Sequence, residues 1–453
     1  MIRLTWAQPE DLVGHELAAS ADEGKDPESL AAIRRRWVVA GGAPEGSARG
    51  AAEVPAPVPL RALADRLLDE LDALPVDPGL DRREPLDWAA RLIRTSVPSR
   101  VPDAKELGDR VHGAWLGRAA GCVLGKPVEK IPRAGIREIL QSSGQWPLRS
   151  YITAGGVPDD VQGRWPWNRR SRATSLAENI DGMPEDDDLN FAMLALMLVE
   201  RHGSDLGTDD VATAWLDSLP AGRVFTAERA AYRNLLLGIE PPATATTHNP
   251  FREWIGAAIR TDVYGWVHPG DPVAAARFAG RDARLSHTRT GVDAAIFVAA
   301  MCAAAVVADD VDAVLAAGLS VLPPKSRYRT AIELGIGLGG SGDDQEACLD
   351  EIQSAYGHLH WVHALNNGAL VAYALKAGRG DLATSICTAV MGGWDTDSNG
   401  ATVGSVCGAL AGARGVPAAW AEPLHNRVST TLAGFDGIGF DELAARTVAV
   451  TVP

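Results

Sequence analysis

Apolar residues recur along most of this chain at intervals of three and four, the spacing of one face of an α-helix. Leu60, Leu63, Leu67, Leu68 and Leu71 form one such stripe within the first hundred residues. From about residue 106 the pattern becomes nearly continuous. Ala-, Leu- and Gly-rich segments of helical length occupy 107–125, 187–202, 208–219, 225–238, 251–260, 271–282 and 291–307. Others follow at 309–319, 326–338, 345–355, 361–377, 380–391 and 399–413, joined by polar or Pro/Gly loops. The alternation of a half-buried strand is nearly absent. The pattern predicts an all-α protein: one domain of more than ten helices over 106–453, after a helical N-terminal extension over 1–105. Within the extension, Asp26-Pro27 is a helix-start signal, and the Pro-, Ala- and Gly-rich stretch 43–59 reads as a connector. No fixed repeat period stands out, which argues against a solenoid.

Composition narrows the setting. With 453 residues the chain can bury a large core, and at 46% hydrophobic it is ordinary for a globular protein. No apolar run approaches the 18 or so residues of a membrane span, and the first residues lack the apolar core of a signal peptide. The five cysteines lie far apart, which argues against a disulfide framework and for a reduced, cytoplasmic setting. A net charge of −15 speaks against nucleic acid as a partner, because neutralising phosphates needs clustered Lys and Arg. The same negative field concentrates divalent cations.

Two stretches break the monotony with small residues in register. Gly400, Gly404, Gly408 and Gly412 recur at every fourth position, as do Gly113, Gly117 and Gly121. Each set makes a stripe on a helix. Gly costs a helix up to about 1 kcal/mol per residue against Ala, so such stripes predict close packing against those faces.

Chemistry concentrates at two acidic helix starts. Asp395, Asp397 and Ser398 stand at the head of the second glycine-striped helix, and Asp186, Asp187 and Asp188 head a strongly apolar one at 187–202. Capping and the helix dipole account for one such cluster. A cation accounts for two, since a buried helix has no need of acidic tips unless something positive meets them. Asp and Ser oxygens describe a site for a hard cation, Mg²⁺ or Mn²⁺ in preference to Zn²⁺, with enough ligands for two ions. Such a site binds a sugar diol and supplies a nucleophilic water. Glu129 ends a third stretch, H-G-A-W-L-G-R-A-A-G-C-V-L-G-K-P-V-E at 112–129, where a solvated residue is the ordinary reading.

Together G-W-D-T-D-S-N-G-A, the D-D-D helix start and G-R-A-A-G-C-V-L-G-K-P-V-E resemble the three signatures of the ADP-ribosylglycohydrolase family, in order, over roughly 106–415. That family includes the glycohydrolase that reactivates dinitrogenase reductase. The resemblance implies an all-α fold with a binuclear Mg²⁺ or Mn²⁺ centre at the bottom of a cleft. It implies cleavage of the bond at the anomeric carbon of ADP-ribose, with a small-molecule or protein-attached ADP-ribosyl or ribosyl conjugate as partner. Carried over by position, the metal ligands are Asp186, Asp187, Asp188, Asp395, Asp397 and Ser398. Asp187 is the expected proton acceptor, and Glu129 falls on a mobile loop glutamate that closes over metals or substrate. The chain departs from the family where D-D-D-L replaces the common T-D-D-T, and where Cys122 stands in the place of an aspartate. Cys122 reads as a small packed residue.

Further substrate-facing candidates are His287, ahead of an apolar helix, and His363 and Asn367 in G-H-L-H-W-V-H-A-L-N-N. His358, His360 and His363 lack the Cys or acidic partner that a Zn²⁺ site would need. Arg260, Asp262, Tyr264 and Trp266 lie on a loop that either packs or contacts a base or phosphate. The departures leave two other functions open: hydrolysis of small nucleosides or other N-ribosides, and non-catalytic ADP-ribose binding or a crystallin-like role.

Overall fold

The structure, a computed structural model, describes residues 3–87, 89, 92 and 102–451. Three helices of ten or more residues lie in the N-terminal part: α1 (Pro9–Asp22), α2 (Pro27–Val39) and α3 (Val58–Ala73). The body continues with α4 (Ala104–Gly125), α5 (Arg133–Ser142), α6 (Asp187–His202), α7 (Thr208–Ser218), α8 (Thr226–Leu236) and α9 (Pro272–Ala283). After these come α10 (Arg289–Ala305), α11 (Val311–Ser320), α12 (Arg327–Ser341) and α13 (Gln345–Tyr356). The last four are α14 (Ala364–Ala377), α15 (Leu382–Met391), α16 (Thr396–Ala411) and α17 (Phe440–Ala449). Among the described residues there is no strand, only isolated bridges such as Met183 to Val428. The fold is all-α. Aspartate side chains accept backbone N–H groups at the starts of α2, α4, α6, α9, α11, α13 and α15, satisfying donors that a helix start leaves unpaired.

The two glycine stripes pack against each other. Antiparallel helices α4 and α16 make the most extensive helix contact of the fold. A Cβ added to Gly113 would lie 2.2 Å from the Gly408 carbonyl oxygen, one on Gly117 2.1 Å from that of Gly404, and one on Gly121 1.9 Å from that of Gly400. The reverse contacts are as close, at 2.2 Å for Gly400 to Gly121 and 2.0 Å for Gly404 to Gly117. Backbone meets backbone along three helical turns. The row ends where Gly125 abuts Thr396, whose hydroxyl donates to the Gly125 carbonyl at 2.8 Å. Gly412 is not part of the helical face: it ends α16 at φ +69°, against the Asp109 carboxylate.

The segment 251–260 is not the long helix that its apolar content predicts. Its backbone groups are spent sideways on the strip before α14: Ile255 N–H donates to Val362 O at 2.9 Å and Ala364 N–H to Glu253 O at 3.2 Å. Only a 3₁₀ turn over Ile255–Arg260 forms. Helices α1, α5 and α17 are additions to the predicted set.

The N-terminal helices share the hydrophobic core of the body. Buried Arg252 reaches across to Glu16 through two bonds of 2.8 and 2.9 Å, and to Glu23 through two of 2.9 and 2.7 Å. Arg327 likewise pairs with the fully buried Glu84 at 2.8 Å.

The glycine contact yields a paired expectation. Gly117→Ala or Gly404→Ala drives a methyl into a backbone carbonyl and should cost about 1–3 kcal/mol or more of unfolding free energy. Gly108→Ala, also in α4 but facing open space, should be neutral or stabilising by up to about 1 kcal/mol. Denaturant melts of the three variants check this.

Candidate active site

Because Gly117, Gly121 and Gly125 face α16, the next residues along the helix, Arg118, Cys122 and Lys126, form a parallel row aimed at the start of α6. All three are buried. Arg118 donates to the Asp188 carbonyl through Nε at 3.0 Å and Nη2 at 2.7 Å, and pairs with Asp262 at 3.0 Å. The Cys122 thiol donates to Asp188 Oδ2 at 3.5 Å, and the Lys126 ammonium sits on Asp186 Oδ2. Asp186 also caps α6, its Oδ1 accepting the Asp188 N–H at 2.9 Å. Asp187 is the half-buried member of the triplet, whereas Asp188 is almost wholly enclosed.

The start of α16 supplies the second cluster. Asp395 occupies the N-cap but its side chain caps nothing, and Asp397 Oδ1 accepts the Ser398 N–H at 3.1 Å. Asp395, Asp397 and Ser398 are all buried. Oxygens of Glu129, Asp395 and Asp397 lie within 4.8 Å of one another, as do ligand atoms of Cys122, Asp186 and Asp188. Glu129 is held there by Asn168, which donates to Oε2 at 2.5 Å, and by Lys130 at 2.9 Å from Oε1.

Crowded, buried charge shifts the carboxyl pKa values. Burial and then the charge of Glu129 push Asp395 up to about 7. Burial, then Glu129 and Asp395, lift Asp397 far above the carboxylate range. Asp187 and Asp188 are raised by burial and by Asp186, with a further push from Asp395, so the two clusters feel each other. Burial opposes the charge of Asp186, but the charge and hydrogen bond of Lys126, with the Asp188 N–H, together outweigh it and hold that carboxyl low. Burial keeps the Cys122 thiol protonated.

Asn367 lies beneath the second cluster, fully buried and using both ends of its amide. Its Oδ1 accepts the Asp395 N–H at 3.2 Å and Asn399 Nδ2 at 2.7 Å, while Nδ2 donates to Trp361 O at 2.9 Å and His363 O at 2.8 Å. It fixes the tip of α16 to the start of α14. His363 is the N-cap of α14 and lines a separate cavity of about 430 Å³, between the N-terminal helices and the body, with His15, Glu253, Trp254 and His360. His287 is buried with Nδ1 2.8 Å from Ser286 Oγ, beside Glu228. Arg260, Asp262, Tyr264 and Trp266 are buried in packing: Arg260 pairs with Glu228, the Tyr264 hydroxyl donates to Asp282 at 2.7 Å, and Trp266 meets Trp115 edge-on.

A sequence model of the ADP-ribosylglycohydrolase family matches residues 103–451. The chain belongs to the ADP-ribosylglycohydrolase family. It is 27% identical over 333 residues to an uncharacterized protein of Archaeoglobus fulgidus, covering 71% of this chain and 93% of that one. A solved structure named as an ADP-ribosylglycohydrolase-related protein complex superposes with a TM-score of 0.46 at 21% identity, over 77% of this chain and 98% of that one. Membership implies a glycosidase-type hydrolase, and the family is generally metal-dependent.

The donor set fits a hard divalent ion. Three carboxylates converge at Glu129, Asp395 and Asp397 with no buried protein cation at ion-pair distance among the described residues, and Asp188 Oδ1 is buried without a hydrogen-bond partner. Sequence reasoning missed Arg118 and Lys126 as parts of this site. Their signal was present: they stand four and eight residues apart with Cys122, on one helix face, inside the stretch that ends at Glu129.

The raised carboxyl gives a pH expectation. Folded Asp395 titrates near 7 against an ordinary 3.8, so the native state binds this proton more tightly than the unfolded chain. The stability it contributes is fully present below about pH 4 and is lost as pH rises to about 7. In chelator, Asp395→Asn should therefore flatten the fall of melting temperature across that window. Added Mn²⁺ should raise the melting temperature of the wild type more at pH 8 than at pH 5, because protons compete for the same oxygens.

Proposed function

We propose that this protein is a divalent-metal-dependent hydrolase that cleaves the bond at the anomeric carbon of an ADP-ribosyl or related ribosyl conjugate. One observation carries the reading: two acidic helix tips, Asp186–Asp188 and Asp395–Ser398, meet with Glu129 on the floor formed where α4, α6 and α16 converge. Glu129, Asp395 and Asp397 would hold the ion, Mg²⁺ or Mn²⁺, with Ser398 beside them. When bound, such an ion orients sugar hydroxyls and offsets charge near the reacting carbon.

The remaining roles fall to the chain's own groups. Asp187, half-buried and with a carboxyl raised by burial and by Asp186 and Asp188, accepts the proton of the attacking water. Glu129 stands over the floor on the loop after α4, where it contacts substrate. Asn367 keeps Asp395 in place from behind. The sequence-based expectation of two ions turns on the Asp186–Asp188 side.

Hydrolysis assays with ADP-ribosyl-arginine, ADP-ribosyl-serine and simple nucleosides, with Mg²⁺ or Mn²⁺ and in chelator, test this reading. Ribosyl release should require the ion, and an Asp395→Ala/Asp397→Ala double variant should lose roughly 100-fold or more in kcat. Full activity in chelator or in the double variant would refute the mechanism. Turnover of nucleosides alone would move the substrate class, and tight ADP-ribose binding without product would make the chain a binding protein.

A further inference from the structure

We propose that the ammonium of Lys126 occupies the place of one of two cations, so that this site takes a single divalent ion, at Glu129–Asp395–Asp397. The inference rests on the metal-dependent reading above and concerns only the number and position of ions.

The two sides of the floor differ in what already neutralises them. On the α6 side the protein supplies its own positive charge. Lys126 is buried, and its ammonium contacts Asp186 Oδ2 while Asp186 Oδ1 is used in capping α6. Arg118, with no exposed surface, lies 3.7 Å from Asp188 Oδ1. Asp188 Oδ2 accepts from the Cys122 thiol. Both oxygens of Asp186 are therefore engaged, and Asp188 Oδ2 has a neighbour that a metal ion would have to displace.

Lysine suits this place. Its ammonium is a compact point charge with three donors, closer to a small cation than the planar guanidinium is. The stem comes from α4, whose position is set by the glycine contact, so the ammonium is delivered to a fixed point. An ion bound at Asp186 would have to expel Lys126 and leave a buried ammonium unpaired, which is a large electrostatic penalty. On the α16 side no buried cation sits at ion-pair distance among the described residues. Glu129, Asp395 and Asp397 converge within 4.8 Å, and their one ion-pair partner is Lys130, on Glu129, whose side chain is 53% exposed. Negative charge without internal compensation is what a divalent cation binds.

Titration of the metal-free full-length protein with Mn²⁺, by calorimetry and by electron paramagnetic resonance, decides the matter without an activity measurement. The expected result is one Mn²⁺ per chain with the spectrum of an isolated ion. Lys126→Ala and Lys126→Met should each take a second Mn²⁺ and show the exchange-coupled spectrum of a close pair. Asp397→Asn should weaken the wild-type Mn²⁺ by at least about 100-fold, the upper end of what losing even a supporting residue costs a metal site. Asp186→Asn should weaken it less. Two Mn²⁺ in the wild type overturns the inference and leaves the metal-dependent hydrolase standing. So does a count that stays at one in both folded Lys126 variants, with folding checked by circular dichroism. Loss of the ion in Asp186→Asn but not in Asp397→Asn overturns its placement. No Mn²⁺ in the wild type would overturn the metal-dependent reading itself.

Discussion

Everything at the candidate site hangs on the close approach of α4 and α16. Two helices that meet along facing glycines come near enough for backbone carbonyls to lie where side chains would otherwise be. Such contact is intolerant of sliding, because a shift of one residue would push Arg118, Cys122 or a neighbouring alanine into the opposite helix. Register is thereby fixed to one solution. In that solution Gly125 abuts Thr396, the end of one helix lies beside the start of the other, and Lys126 and Asp397 become neighbours in space. Glycine lowers the intrinsic stability of both helices, but their burial in the core makes packing the deciding term.

The site that results is electrostatically unfavourable by itself. Carboxylates from three segments share a buried floor, and four of them are held mainly by being driven toward their neutral forms. Helix starts ease the strain by presenting N–H groups and a positive dipole end. A lysine and an arginine ease it further on one side. What remains uncompensated lies on the other side, against Glu129. The fold stores an affinity for positive charge, and the scaffold around it keeps the acids from relaxing away.

Much of this was legible in the sequence, and the reasons differ by residue. The all-α class followed from spacing because long amphipathic and apolar segments carry a strong periodic signal. The acidic tips were legible because consecutive carboxylates at the start of apolar helices have few physical excuses. The two glycine stripes were each visible, but that they face one another is a fact of tertiary structure that spacing on a single helix does not contain. For the same reason Lys126 looked like part of a turn, and Arg118 like one charge among many. Asn367 drew attention as a cleft residue, yet it works from beneath, through hydrogen bonds to the backbone of Asp395. The 251–260 stretch has helical composition, but its backbone is claimed by a neighbouring segment, and local propensity lost to that competition.

The bonds of Arg252 to Glu16 and Glu23 bear on what counts as a unit of this protein. The family resemblance begins at residue 103, but the charge balance of the body does not. Arg252 belongs to the matched region and its counterions to the segment before it, as do Glu84 and its partner Arg327. A chain cut at the edge of the family region would keep two arginines shaped for partners it no longer has. Homology and autonomy part company here. The boundary drawn by shared ancestry runs through the middle of a single electrostatic circuit, and the segment outside it has become part of the molecule's foundation.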